Sequence, residues 1–218
     1  MTFTTEIEPV VNPIYDAIFE HPMVQGIGDG TLAEDKFVYW VKQDYYYLIE
    51  YARVFALATA SAPLVEDMGT WARLLDETIH TEMDLHRGYA AEFGISEAEL
   101  DATKPSPTTR AYTDFLVRVA STGTLADTVA VLLPCMWGFN DTGQRLAAEG
   151  VPDHEQYRAW IEMYSSEEFT ELTEWCLAEM DELETQENHD RLVDLIRTSA
   201  RYEYLFWDAA WQQQTWPV

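Results

Sequence analysis

Three segments of the chain place chemically capable side chains inside otherwise apolar helical patterns. In the first, Asp44 precedes Tyr47 by three residues and Tyr51 by seven, so a carboxylate and two rings share one helical face. The second contains Cys135 directly after a proline, and the third places Glu203 among aromatic residues. A thiol with two carboxyl groups is the set of side chains that covalent and acid–base catalysis use.

Each of these groups also has an ordinary structural interpretation. Asp44 can form an ion pair with Arg53 or with a cation from another helix, because an unpaired carboxylate on an aromatic face costs free energy. Pro134 removes a hydrogen-bond donor and predicts a kink beside Cys135, but buried cysteines are common and spacing alone favours a structural role. Burial would raise the pKa of Glu203 toward the range of a general acid or base unless a cation neutralises it.

A metal site is a further interpretation, because Glu82 and His86 are spaced at i and i+4. Di-metal helical sites usually need a second, matching carboxylate and histidine group, and Glu203 has no nearby histidine. A surface or structural role is therefore favoured for His80 and His86, and a single-metal site stays open. The chain also lacks a glycine-rich phosphate loop and a Gly-x-Ser-x-Gly elbow, so the common nucleotide-binding and α/β-hydrolase interpretations have no support.

The elements that must position these groups are helices. Apolar residues recur at intervals of three and four, and alternating runs bounded by turn residues are missing. Thr31 and Glu34 have the spacing of a capping box, and Pro63 suits the first turn of the next helix. These and similar signals predict helices over about 31–62, 63–94, 96–103, 108–123, 124–150, 153–165, 165–186 and 188–214. No linker or repeat divides the chain, so residues 1–218 are expected to form one all-helical domain.

The composition limits the possible partners. The 218 residues include 39 Asp and Glu against 13 Lys and Arg, which gives a formal charge of −26. Such a surface lacks the cations that grip a phosphate backbone, so nucleic acid is excluded as a partner. The acids are spread along the chain and only three of the cations are lysines. We interpret this pattern as a protein kept soluble in strong brine, and an acidic mesophilic protein is the alternative.

Cysteine usage and hydropathy predict a soluble cytoplasmic protein. The chain has two cysteines and no basic, apolar leader at its N-terminus, which argues against a disulfide framework. Its longest nearly unbroken apolar run, Val129 to Phe139, is shorter than the roughly 18 residues that suggest a membrane span. Cys176 lies on the apolar stripe of its helix and is predicted to fill the core.

Four segments give the chain a resemblance to the TenA (thiaminase II) family, in its subgroup with a catalytic cysteine. They are QDYYYL at 43–48 with ARVFA at 52–56, LPCMW at 133–137, WIEMYS at 160–165 with Phe169, and YEYLFW at 202–207. Each segment is a weak signal alone, but all four occur in the family's order with similar spacing. The resemblance covers almost the whole chain.

The resemblance implies an all-helical, haem-oxygenase-like bundle that assembles as a homotetramer and acts in thiamin salvage. The family hydrolyses 4-amino-5-aminomethyl-2-methylpyrimidine to the hydroxymethyl pyrimidine with release of ammonia, and it also cleaves thiamin. By position, Cys135 matches the nucleophile, Glu203 the acid/base and Asp44 the carboxylate that holds the aminopyrimidine. The other implied pocket residues are aromatic: Tyr47, Tyr112, Phe139 and Tyr164. At Phe139 a tyrosine is expected in many relatives, so this pocket lacks one hydroxyl.

These residues suit the chemistry of an aminopyrimidine, whose faces fit aromatic walls and whose polar edge fits carboxylates. With a carboxyl group on the ring nitrogen, the Cys135 thiolate can add to a ring carbon and expel the group on the methylene. Water then adds to the methylene and the thiolate leaves, so no metal or organic cofactor is needed. Two alternatives stay open: a haem- or metal-dependent oxidase with the same bundle, and a pyrimidine-binding protein without catalysis.

Overall fold

In the computed structural model, which describes residues 2–218, the chain forms eleven α-helices and no strand. The helices are α1 (Phe3–Phe19), α2 (Pro22–Gly28), α3 (Glu34–Ser61), α4 (Val65–Glu77), α5 (Met83–Glu92), α6 (Glu97–Asp101), α7 (Pro107–Thr122), α8 (Leu125–Glu149), α9 (Glu155–Tyr164), α10 (Glu167–Leu183) and α11 (His189–Gln212). The prediction of an all-helical fold is confirmed. No helix within residues 2–218 has both the length and the apolar character to cross a membrane.

Local capping explains several helix boundaries that the sequence predicts. Ser96 and Glu99 form a reciprocal capping box at α6, and Thr124 and Asp127 form another at α8. Gly150 follows α8 with a φ of 112°, a left-handed region that favours glycine. The position of Cys135 within α8 is therefore fixed by signals at both ends of that helix.

The predicted capping box at the start of α3 is wrong. Thr31 instead donates its backbone N–H and its hydroxyl to the Asp29 carboxylate, at 2.9 and 2.6 Å. Ala33 occupies the N-cap position and makes no side-chain cap hydrogen bond, so α3 begins at Glu34. Asp29, in the preceding turn, therefore takes the place of Glu34 as the partner of Thr31.

Residues 63–94, which the sequence predicts as one continuous helix, contain an irregular turn. The helix begins at Val65 instead of Pro63, and a π-helical turn, Thr78–Glu82, joins α4 to α5. Such a turn inserts one residue into the helical register and often occurs at functional sites. Here it sets the rotation of α5 relative to α4, with α3 packed against both helices.

The centre of the bundle is formed by α3, α8 and α11, which pack on one another. Trp40 of α3 stacks on Trp207 of α11 with ring centroids 5.9 Å apart, and Trp160 and Phe139 contact the Trp207 ring. Burying each large aromatic side chain stabilises the fold by about 2 kcal/mol or more. This cluster forms a rigid base beside the cavity described below.

Three hydroxyl groups from three helices hold the segment of α8 around Pro134. They donate to three carbonyls of α8: Ser199 to Val131 at 2.7 Å, Tyr51 to Leu132 at 3.3 Å and Tyr15 to Pro134 at 3.4 Å. The helix continues through Pro134, whose nitrogen cannot donate. These contacts anchor the residue that follows, Cys135, to α1, α3 and α11.

Candidate active site

A cavity of about 160 Å³ lies between α3, the π-helical turn, α8 and the α9–α10 junction. Its volume is similar to that of cavities that hold one aromatic ring. Five of the seven predicted site residues line it: Asp44, Tyr47, Cys135, Phe139 and Tyr164. Tyr112 and Glu203 do not line the cavity. They lie behind the thiol, on α7 and α11.

The Cys135 thiol is set between the cavity and Glu203. Burial raises the pKa of Cys135 well above its usual value, and the negative charge of Glu203 raises it further, while the Tyr47 hydroxyl acts in the opposite direction. The thiol is therefore protonated in the resting protein. A proton acceptor is needed before the sulfur can act as a nucleophile.

Glu203 is the group placed to exchange that proton. Its side chain is buried, and Tyr112 donates a hydrogen bond to Oε1. Burial raises the pKa of Glu203 to about 8, although hydrogen bonds from Tyr112 and the Cys135 thiol counteract part of the shift. Near neutral pH the Glu203 side chain is mostly a carboxylic acid, which is the state required of a general acid.

Asp44 is paired with a residue that sequence analysis did not connect to it. Its Oδ2 lies 2.6 Å from Nε2 of His86, and both residues are buried. Arg53 instead pairs with Glu50 on the surface, so Arg53 is wrong as the partner of Asp44, and the partner is a side chain from another helix. His86 lies on α5, and the position of α5 against α3 brings the two side chains together.

The sequence does contain a signal for the burial of His86. Met83, His86 and Ala90 are spaced at three and four residues and are all buried. His80, in contrast, is mostly exposed and lies 3.6 Å from Asp76. A surface role therefore suits His80, while His86 belongs to the site.

Glu82, which lines the cavity, is another residue that the site prediction missed. It ends the π-helical turn, and burial raises the pKa of its carboxyl group to about 7, with His86 lowering and Asp44 raising it. Glu77 and Glu168 also line the cavity. None of the lining residues within 2–218 is basic, so the site favours a cationic ligand.

The spacing of Glu82 and His86 does not create a metal site. Nδ1 of His86 lies 2.8 Å from the Glu82 carbonyl and Nε2 faces Asp44, so both ring nitrogens already have oxygen partners. Within residues 2–218 no group of three or more His, Cys, Asp or Glu side chains is arranged to hold a metal ion.

Aromatic rings provide the walls of the cavity. Tyr47 stacks on Tyr51 at 5.2 Å between ring centroids, and Phe139 packs against Tyr164 at 4.8 Å. The Tyr47 hydroxyl is buried and makes no hydrogen bond to any group within residues 2–218. It is therefore available to a ligand. Phe139 also contacts Trp207, which keeps its ring in place without a hydroxyl.

Comparisons with known proteins identify relatives of nearly the same length. Residues 8–213 match the model of the TENA/THI-4/PQQC family. A protein from Halalkalibacterium halodurans, named aminopyrimidine aminohydrolase, is 42% identical over 221 residues, which cover 99% of this chain and 98% of that protein. A Bacillus subtilis protein of the same name is 37% identical over 219 residues, covering 99% of this chain and 92% of that protein.

Solved structures show the same fold. A TenA homologue from P. horikoshii OT3 superposes with a TM-score of 0.91 at 25% identity, covering 97% of this chain and 99% of that chain. A domain from Shewanella denitrificans, described as having a heme oxygenase-like fold, gives a TM-score of 0.74 at 17% identity and covers 96% of this chain and 92% of that chain. The prediction of a haem-oxygenase-like helical bundle is confirmed.

Proposed function

Because the chain belongs to the TENA/THI-4/PQQC family, we propose that it is an aminopyrimidine aminohydrolase of thiamin salvage. It hydrolyses a C–N bond in 4-amino-5-aminomethyl-2-methylpyrimidine and in thiamin. The observation that carries this proposal is the position of the Cys135 thiol between a ring-sized cavity and the Glu203 carboxyl group. The acidic lining supports a substrate whose leaving group is cationic, as the aminomethyl group is at neutral pH.

Substrate binding uses the cavity's aromatic walls and its polar groups. The pyrimidine lies between Tyr47 and the pair formed by Phe139 and Tyr164. Asp44 keeps Oδ1 free of hydrogen bonds within residues 2–218, and this oxygen accepts a hydrogen bond from the exocyclic amino group. The Tyr47 hydroxyl meets the polar edge of the ring. Phe139 contributes only an apolar face.

The first chemical stage forms a covalent adduct. Glu203 takes the proton of the Cys135 thiol and releases its own proton, which a water molecule carries to the ring nitrogen, so the carboxyl group is regenerated as the sulfur–carbon bond forms. The electron pair placed on the ring then expels the amine from the methylene as ammonia. Tyr112 keeps the Glu203 carboxyl group in position throughout this exchange.

The second stage restores the aromatic ring. Water adds to the exocyclic methylene and gives one proton to ammonia. The ring nitrogen then loses its proton, and its electrons return through the ring to break the sulfur–carbon bond. The thiolate recovers its proton through Glu203, and hydroxymethyl pyrimidine leaves. Every group that these two reaction stages require is supplied by the chain, the substrate or water.

Ammonia release is the decisive measurement. The purified protein is incubated with the aminomethyl pyrimidine, thiamin or a degraded thiamin derivative at several salt concentrations, and ammonia and hydroxymethyl pyrimidine are quantified. Equal amounts of both products from the aminomethyl pyrimidine are expected. Binding without product would favour a non-catalytic pyrimidine-binding protein, and a haem-like absorption spectrum with oxygen consumption would favour an oxidase.

We further propose that the protein is a single domain that works in the cytoplasm as a homotetramer. Both cysteines are free thiols, which suits a reducing compartment. Assembly is supported by apolar side chains that α4 and its N-cap expose, namely Leu64, Val65 and Met68. The other subunits would cover part of this surface.

A further inference from the structure

His86 joins two elements that line the cavity, α3 through Asp44 and the π-helical turn through Glu82. Its ring is fully buried between Trp40, at a centroid distance of 5.4 Å, and Tyr89 at 6.1 Å. Nδ1 lies 2.8 Å from the carbonyl oxygen of Glu82, and Nε2 lies 2.6 Å from Oδ2 of Asp44. Because the two ring nitrogens contact different elements, a shift of the His86 ring would break at least one of these contacts.

The geometry determines where the protons lie. A backbone carbonyl can only accept a hydrogen bond, so Nδ1 must carry a proton. Nε2 faces a carboxylate oxygen, so one proton must also lie between Nε2 and Oδ2. The pair is therefore an imidazolium with a carboxylate, or a neutral imidazole with a carboxylic acid.

The surroundings of the pair decide between these two states. The charged or titratable groups that face His86 are Asp44 from α3 and Glu82 from the π-helical turn, and both favour a cation. Burial of the ring lowers the pKa of His86, but the hydrogen bonds and charges of Asp44 and Glu82 together outweigh it, and the pKa is raised above its usual value. The imidazolium is thus the counter-charge of an otherwise acidic site.

We infer that His86 is a positioning residue that orients Asp44, with Oδ2 held and Oδ1 presented to the substrate's amino group. This inference rests on the proposed function for its ligand, but the state of the pair belongs to the free protein. Without the hydrogen bond from His86 the Asp44 carboxyl group could rotate, and Oδ1 would no longer face an amino group that can only donate. His86 therefore selects ligands that carry an amino group at this edge.

The first test measures affinity for hydroxymethyl pyrimidine, which binds without turnover. His86→Leu removes the charged hydrogen bond and should weaken binding by about 10- to 100-fold. His86→Gln keeps a donor that reaches Asp44 and should recover most of this loss. His80→Gln is the matched control, because His80 is exposed on the neighbouring turn, and it should bind like the wild type.

A double-mutant cycle separates positioning from a general structural effect. In an Asp44→Asn background, replacing His86 by leucine should cost little further affinity, because the group that His86 orients has already been removed. Additive losses, or binding by His86→Leu within twofold of the wild type, would overturn the inference. Melting temperatures of all variants confirm that the compared proteins are folded.

A ligand-free measurement distinguishes this inference from the proposed function. In spectra of protein labelled with ¹⁵N-histidine, both ring nitrogens of His86 should be protonated at pH 7, and Nε2 should lose its proton in Asp44→Asn. A neutral His86 in the wild type would overturn the inference even if pyrimidine binds. If His86 is protonated but no pyrimidine binds, the proposed function fails and the electrostatic state of the pair stands.

Discussion

Cys135 and Cys176 form a natural pair for testing the nucleophile. Cys135→Ser should lower ammonia release by several orders of magnitude, because a hydroxyl is a far poorer nucleophile than a thiol near neutral pH. It should still bind hydroxymethyl pyrimidine, since recognition depends on the aromatic walls and on Asp44. Steady-state kinetics and equilibrium binding measure the two effects separately.

Cys176→Ser is the control for this substitution. Cys176 is buried, does not line the cavity, and has its pKa raised to about 12 mainly by burial. Its replacement should leave turnover per folded protein nearly unchanged, with some loss of stability from the buried hydroxyl. Near-wild-type hydrolysis by Cys135→Ser would show that the assignment of the nucleophile is wrong.

Glu203→Gln should remove proton exchange while keeping the side chain's shape. Tyr112 can still donate to the amide oxygen, so the fold around the site should persist. Turnover should fall by a factor of about 10² to 10⁴, which is typical of losing a general acid or base. Ammonia release at saturating substrate measures this loss.

The same substitution should change how stability depends on pH. The pKa of Glu203 is raised to about 8 in the folded protein, so the folded state binds more protons than the unfolded state between about pH 4.5 and 8. The free energy of unfolding of the wild type should therefore fall as pH rises through this window, by up to about 1.4 kcal/mol per pH unit from this group. Glu203→Gln should gain stability relative to the wild type between pH 5 and pH 8 in urea unfolding, and parallel pH profiles would contradict the assignment.

The sequence predicts the individual reactive groups better than their partners. Asp44, Cys135 and Glu203 stand out because each is polar or reactive within an apolar helical pattern. His86 is different, because its partner lies 42 residues away on another helix and only the packing of α5 on α3 brings the two together. The spacing with Met83 and Ala90 indicates its burial but not its contact.

At the scale of elements, the π-helical turn is the feature on which the Asp44–His86 contact depends. Deleting Ile79, which is partly exposed in that turn, should narrow the turn to regular α-helical geometry and displace the Glu82 carbonyl that accepts a hydrogen bond from Nδ1 of His86. His86 would then lose the contact that aligns its ring with Asp44, so affinity for hydroxymethyl pyrimidine should fall toward that of His86→Leu. Circular dichroism should show that helix content is retained.

Ile79→Ala provides the matched control, because it removes the same side chain and keeps the register. It should bind hydroxymethyl pyrimidine within about twofold of the wild type, as expected for a surface substitution. If the deletion binds as well as Ile79→Ala, the turn has no part in positioning His86.

Predicted and observed elements differ where local signals conflict. The capping residues of α6 and α8 act within a few residues, so the sequence predicts both helices correctly. The first helix, α1, was not predicted because Pro9 and Pro13 interrupt its pattern, yet its buried face holds it against α11. The π-helical turn also has no local signal, because its register follows from contacts with α3.

For the whole molecule, the first prediction concerns assembly. The exposed apolar side chains around the start of α4 should be covered in a homotetramer. Light scattering in molar KCl should give about four times the 25.1 kDa mass of the chain. Val65→Glu, at a side chain that is 85% exposed, should weaken assembly without disturbing the core, and a clean wild-type monomer would contradict the prediction.

The formal charge of −26 should make stability depend strongly on salt. Repulsion between the dispersed carboxylates opposes the compact state, and added salt shortens the screening length from about 10 Å at 0.1 M to about 3 Å at 1 M. The melting temperature should therefore rise steeply between 0.1 M and several molar KCl. Because this effect comes from charge and not from the site, Cys135→Ser should show the same rise. A melting temperature that stays flat over this range would refute adaptation to brine and leave the enzymatic proposal intact.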